Sequence, residues 1–379
     1  MNTDKVQLKG ITWDHSRGFT SAVATAQRFH ELNPDVEIIW EKRSLQAFAD
    51  EPINELAKRY DLLIIDHPWA GFAARTGVII PLNDHLPKAY LEDQRNNSVG
   101  KSHESYCFDG YQSALAIDAA TPVAASREDL LPDIPQTWDD LIDLAKEGRV
   151  AIPGIPQDTL MSFYMVCCTL GEDVALSTEH FVTEKIGIKA LEMLRELGRY
   201  IADECYDMNP IAVYEAMTLD DTYSYSPFAY GYTNYSRNGY ARKRLKFHDM
   251  VAIDGQKLIT TLGGTGLAIS SSSKHQEKAL EYAAYVASPE TQTGVFFDNG
   301  GQPGHRSAWV NKETNTVCKD FFKDTLPALD RAFLRPRYHG HMYFQDNAGA
   351  PIRAYMKNGG DAKEVLDTLN KLYIKSLKI

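Results

Sequence analysis

Apolar and polar residues change period several times along this chain, and the changes mark its elements. Residues 6–13 (VQLKGITW), 36–40 (VEIIW) and 61–65 (DLLII) read as strands. Between the first two, residues 19–32 (FTSAVATAQRFHEL) carry apolar positions at helical spacing, and Asn33-Pro34 ends the run. A further helix is expected near residues 44–59. The third strand is almost wholly apolar, as in a parallel sheet covered on both faces. Strand–helix–strand–helix–strand predicts an open α/β domain, in which ligands sit beyond the carboxyl ends of the strands.

The pattern continues with a short apolar strand at 114–118 (ALAID) that ends in an acid and runs on into Thr121-Pro122-Val123. In PQTWDDLIDLAK (135–146), Thr137 is a helix N-cap and Asp140 the acid of a capping box. Residues 150–154 (VAIPG) read as strand and turn, 158–170 as a buried helix and 188–202 as an amphipathic one. From 262 the chain reads LGGTGLAIS, a Gly-rich turn feeding a strand. A Ser-rich capping segment follows, then a helix with Ala279, Tyr282, Ala283 and Val286 on one face. Ser288-Pro289-Glu290 starts another helix, with Pro at an allowed first-turn position. No internal repeat or low-complexity linker interrupts the order, and the tail from 311 is helical.

The succession LGGTGLAIS, SSSKHQEKALEYAAYVASPETQ and GGQPGHRSAW, closing on Pro303 and Arg306, resembles the core signature of the extracellular solute-binding proteins of ABC importers. The resemblance is to the branch that carries sugars and polyols. The Pro-x-Thr-Trp run at 135–138 resembles the motif opening a helix of the second lobe, and the likeness covers roughly residues 6–310. It implies an α/β, two-lobed fold of the class II periplasmic-binding-protein type, with an interlobe cleft and hinge strands near 114–120 and 260–266. Lobe one would be residues 1–117 plus 264–308, and lobe two 118–263 plus 309–379. It implies a monomer that captures a sugar, polyol or sugar acid by hinge closure, delivers it to a permease and catalyses nothing.

Composition narrows the alternatives. A chain of 379 residues accommodates two domains, and 44% hydrophobic content suits a well-packed core. The net charge of −11 argues against nucleic acid as a partner. No apolar run approaches the ~18–20 residues of a membrane helix. MNTDKVQLKGITW has no apolar segment of the signal-peptide kind after Lys5. The expected location is therefore the periplasm or cell surface if a signal has been removed, and the cytoplasm if Met1 is the native start. The five cysteines, Cys107, Cys167, Cys168, Cys205 and Cys318, are an odd number with no CxxC pair. Neither a complete disulfide set nor a zinc site is expected, and no cofactor is implied.

Candidate chemistry gathers at strand ends. Trp13-Asp14-His15 follows the first strand and Asp66-His67-Pro68-Trp69 the third, so both loops open on one edge of the sheet. Asp14, Asp66 and Asp118 are candidate acceptors for vicinal hydroxyls. Residues 223–240 (YSYSPFAYGYTNYSRNGY) hold six tyrosines, and Tyr223, Tyr225, Phe228 and Tyr230 are candidate packing faces for a sugar ring. Gly264 and Thr265 would let backbone approach the ligand, and Arg306 completes the predicted site. Arg17 and Arg306 keep a sugar acid open as ligand. The paired Asp-His dipeptides are compatible with a metal, but none is expected. The alternative is a cytoplasmic enzyme or ligand sensor on the same fold, as in thiaminase-like relatives with a Cys nucleophile, for which Cys107 is the candidate. Nothing resembles a nucleophile elbow, a P-loop or a dinucleotide-binding glycine motif.

Overall fold

The computed structural model describes residues 5–379; Met1, on which the expectation about the native start turns, lies outside them. The chain forms two compact units. The first runs to Ala120 and adds Gly263–Thr316 and Arg337–His339; the second comprises Thr121–Leu262, Val317–Pro336 and Gly340–Ile379. The expected division at 117 and 308 is therefore drawn differently. Residues 118–120 stay with the first unit because the strand Leu115–Ala120 remains paired with Gly263–Ile269 to its end.

The first unit is built on a five-stranded sheet in the order Val36–Arg43, Val6–Trp13, Leu62–Ile65, Gly263–Ile269, Leu115–Ala120. The first pair is parallel in continuous register from Val6 opposite Val36 to Trp13 opposite Arg43. Gly263–Ile269 runs antiparallel to both its neighbours. Leu62–Ile65 is buried along its whole length, which is why it alternates with nothing polar. The helix Phe19–Leu32 turns Ser21, Ala22, Thr25, Ala26 and Phe29 inward, and its small residues bring it close to the sheet. The Tyr282 hydroxyl ties this layer together, at 2.9 Å from Thr25 Oγ1 and 3.2 Å from the Trp40 Nε1 that donates to it.

Two expectations change here. The helix foreseen near 44–59 is two short ones, Leu45–Asp50 and Ile53–Leu56. Pro52 breaks it: it lacks an N–H, and Glu51 before it is extended (φ −72°, ψ 123°). The helix Gln276–Ala287 is entered through His275 without a side-chain cap. The serines before it do other work, Ser270 Oγ donating to Ala57 O at 2.5 Å and Ser273 Oγ to Asp61 Oδ1 at 2.6 Å.

The second unit carries a three-stranded antiparallel sheet, Tyr225–Tyr230, Pro122–Ser126, Lys246–His248. Trp138–Lys146 starts with the foreseen capping box, Thr137 and Asp140 each satisfying the other's backbone. Of the strand and turn foreseen at 150–154, the strand pairing reduces to a single bridge from Val150 to Tyr225. Pro156–Thr169 is buried nearly all round, and His341–Asn358 packs on it. Gly349 permits that approach: a Cβ there would stand 2.0 Å from Pro156 O.

Candidate functional site

In the first unit the candidate residues stand on the ends of adjacent strands. After Trp13 the chain turns through Asp14 and His15 into the helix that begins at Phe19. Gly18 lies over the Trp13 indole, where a Cβ would come within 2.5 Å of the ring. The indole is buried and its Nε1–H has no hydrogen-bond partner. His15 Nδ1 accepts from Arg17 N at 3.0 Å, which requires that nitrogen to be unprotonated. Burial, helped by the Arg17 charge, pushes His15 down to about 4, and Asp14 opposes the shift. Asp14 itself is exposed and pairs with Lys42 at 2.8 Å.

Asp118 is 1% exposed. Both its oxygens are held by Arg17, Nε donating to Oδ2 at 2.8 Å and Nη2 to Oδ1. Burial pushes its carboxyl above the usual range, against the pull of Arg17 and of the backbone N–H groups of Thr265 and Gln302. Trp13, Arg17, Asp118 and Thr265 line one small cavity within this unit, of about 10 Å³, room for about one water molecule. The Thr265 hydroxyl is buried there without a partner. Gly264, at φ +101°, meets the neighbouring strand: a Cβ on it would stand 2.3 Å from Asp118 O. Its freedom thus serves a strand–strand approach.

Asp66 caps the turn His67–Trp69 by accepting from His67 N at 2.8 Å. His67 is fully buried, its ring edge-on to Tyr106 at 6.3 Å. Trp69 is buried with its ring edge-on to Phe72 at 5.4 Å. Arg306 is half-buried at the start of the helix Arg306–Val310, which His305 caps by accepting from Ser307 N at 3.2 Å. Asp14, His15, Asp66, His67, Trp69 and Arg306 are absent from the lining of the cavity that Trp13 and Asp118 share.

In the second unit most of the tyrosine-rich segment is interior. Tyr223 donates to Glu204 Oε1 at 2.6 Å, and Tyr225 is fully buried. Phe228 stacks on Trp138 at 6.5 Å and 12°. Tyr230 is half-buried, its hydroxyl 3.0 Å from Thr261 Oγ1. Of the four aromatics singled out in the sequence, Tyr230 alone retains appreciable exposure.

Pattern reading passed over Asp158. It lies in the first turn of Pro156–Thr169, 7% exposed, and its carboxyl makes no hydrogen bond or ion pair with the described residues. Burial pushes it up to about 8, with Arg335 pulling the other way. The signal was present in the sequence as the one charged residue of the helix. An acid in a first turn reads as an ordinary complement to the helix dipole, which hid it. Cys107 is half-buried, whereas Cys167, Cys168, Cys205 and Cys318 are buried. Among the described residues no three of His, Cys, Asp and Glu come together as a metal cluster.

A family model described as bacterial extracellular solute-binding protein matches residues 24–308. A maltotriose-binding protein of Pyrococcus abyssi is 23% identical over 122 residues, 32% of this chain and 26% of that relative. The chain thus spans about a quarter of the length of the curated relative it matches. Maltose-bound MalE3 of T. maritima superposes with a TM-score of 0.84 at 17% identity, covering 98% of this chain and 99% of that one. A ribitol complex of an ABC transporter solute-binding protein from Agrobacterium radiobacter gives 0.81 at 17% identity over the whole of both chains. The maltotriose-bound protein of Thermus thermophilus gives 0.78 at 16% identity, over 98% of this chain and all of that one. The fold is the mixed α/β, class II periplasmic-binding-protein fold.

Proposed function

This chain belongs to the bacterial extracellular solute-binding protein family, and we propose that it is the carbohydrate-binding subunit of an ABC importer, capturing one small polyhydroxylated ligand by lobe closure. The observation that carries this reading is the fold likeness over 98–100% of the chain to proteins solved with maltose, maltotriose and ribitol. The family's description as extracellular supports a working place in the periplasm or on the cell surface. No helix among the described residues is long and apolar enough to cross a membrane. The protein works as a monomer that hands its ligand to a permease.

Binding without chemistry agrees with the residues at hand. Desolvation holds the buried Cys167 and Cys205 thiols above their ordinary value, which disfavours the nucleophilic thiolate. The Trp13 indole N–H and the Thr265 hydroxyl are buried without partners, and Tyr230 is half-buried. A ligand drives closure only by binding the closed form better than the open one, through a few hinge residues.

A thermal-shift screen against neutral sugars, polyols and sugar acids tests the reading. A ligand at 100 times its dissociation constant stabilises the native state by about 2.7 kcal/mol. A reproducible rise in Tm with at least one of these compounds is expected. No rise with any compound at millimolar concentration contradicts the reading.

A further inference from the structure

A second cavity of the first unit, of about 330 Å³, opens beside Gln112, just before the strand Leu115–Ala120 begins. Its volume falls within the range of small-molecule sites, roughly 300–1,000 Å³. Residues of the helix Lys88–Asn97, of the turn Ser102–Ser105 and of a short hairpin that pairs Cys107 with Gln112 form its wall. The strand Leu115–Ala120 runs the same way as Leu62–Ile65, both being antiparallel to Gly263–Ile269. The cavity therefore lies at the amino-terminal edge of the sheet, away from the loops that follow Trp13 and Ile65.

Two side chains on this wall are more than nine-tenths buried and keep polar atoms unpaired. Gln112 is 4% exposed. Its Nε2 donates to His103 O at 3.1 Å and to Ala114 O at 2.9 Å, and its backbone N–H donates to Asn83 Oδ1 at 3.0 Å. The two carbonyls fix which end of the amide is nitrogen, and Oε1 is left without a donor among the described residues. His103 is 6% exposed, and neither ring nitrogen makes a hydrogen bond with a described residue. Burial, helped by the Arg95 charge, pushes its ring down to about 4, so near neutral pH the imidazole is uncharged and has one N–H to donate. Buried polar groups are almost always paired, and here such groups border a space large enough to bring them a partner.

The charges on the same wall are unevenly matched. Lys88 stands 3.8 Å from Glu92 Oε1. Arg337 donates to Glu104 O at 2.8 Å, and its guanidinium lies in the field of the Glu104 carboxylate. Arg95 makes no ion pair and no side-chain hydrogen bond with a described residue. One cation without a counter-charge thus stands near a neutral donor, His103, and an acceptor, Gln112 Oε1.

We propose that this cavity is a binding site for a small hydroxy-carboxylate. The ligand's carboxylate accepts from Arg95 and from the His103 N–H, and a hydroxyl next to it donates to Gln112 Oε1. A plain carboxylate would leave Gln112 unmet, a polyol would leave Arg95 without an anion, and an ammonium would bring a second positive charge beside Arg95. The site is separate from the carbohydrate reading and does not rest on it.

Cys107 reports occupancy, because it stands opposite Gln112 in the hairpin and lines the same cavity. The full chain is titrated with lactate and gluconate. The counterparts are propionate, which lacks the hydroxyl, lactamide, which lacks the charge, alanine, which carries an ammonium, and inorganic phosphate. Calorimetry gives Kd, and an aromatic disulfide reagent gives the rate at which Cys107 reacts. Lactate or gluconate is expected to bind about tenfold or more tightly than every counterpart, and saturation with it should slow the Cys107 reaction. Arg95→Gln is expected to weaken binding by about tenfold or more, the loss of a charge-assisted contact, and Arg95→Lys to lose less. The Tm of ligand-free Arg95→Gln should match the wild type, because the exposed side chain holds nothing in the fold. Unchanged affinity in Arg95→Gln overturns the proposal, as does equal or tighter binding of any counterpart. Binding that leaves Cys107 fully reactive puts the ligand elsewhere and overturns it too, and so does a panel in which nothing binds.

Discussion

Arg17 holds Asp118 across 101 residues of sequence, Nε to Oδ2 at 2.8 Å with Nη2 on the other oxygen, and both side chains are buried. The pair fastens the loop after the first strand to the strand Leu115–Ala120. Both oxygens that sequence reasoning offered to a ligand are thereby occupied. Breaking such a pair leaves an uncompensated buried charge. Asp118→Ala is expected to cost about 3–5 kcal/mol, read as a fall in the denaturant midpoint. Replacing both partners by apolar residues of similar volume should recover most of that loss, and a double variant as unstable as the single one would count against the account.

Gly264 sits at φ +101° with Asp118 O in the place of a side chain. Gly264→Ala is expected to destabilise by about 1–3 kcal/mol or more, through backbone strain and the clash together. Thermal unfolding of the variant checks it. An unchanged Tm would mean that the strand pair is looser than described.

His15, His103 and His248 are each pushed down to about 4, chiefly by burial. In the unfolded chain they titrate near 6.5. As pH falls, the unfolded state takes up these protons first, so stability is fully present above about 6.5 and is lost progressively down to about 4. Each histidine contributes a slope of at most about 1.4 kcal/mol per pH unit in that window. Urea unfolding at pH 7, 5.5 and 4.5 reads the slope, and His103→Gln should flatten it. Identical midpoints at all three values would contradict the neutral, buried assignment.

Of the five thiols, Cys107 alone retains appreciable exposure, and burial pushes Cys318 up to about 11. One thiol is expected to react quickly with an aromatic disulfide reagent under native conditions and five after unfolding. Cys107→Ser should leave ligand affinity unchanged. Loss of function in that variant would revive the enzyme alternative.

The strand Leu62–Ile65 was legible because an unbroken apolar run leaves few other structures open, Val6–Trp13 because polar Gln7 and Lys9 alternate with apolar neighbours, and the Thr137–Asp140 box because its signal is local. The helix foreseen near 44–59 was broken by Pro52, a local signal that apolar periodicity overrode. What the sequence withheld was partnership. Asp118 follows a strand much as Asp14 and Asp66 do, yet only packing brings Arg17 onto it and leaves Asp14 with an exposed lysine. The tyrosines of 223–240 carry the composition of a ligand-facing surface, but Tyr223 and Tyr225 face inward, because alternation along a strand sorts faces without saying what covers each. Asp158 stands out only as the acid that packing leaves without a partner.

Calorimetric titration of the tightest compound from the thermal-shift screen tests the central claim most directly. The account predicts a saturable heat at a stoichiometry near one, a baseline that returns to zero after each injection, and chemically unchanged ligand recovered at the end. A sustained heat that follows each injection until the compound is consumed, with a new product in solution, would contradict it and make the protein an enzyme.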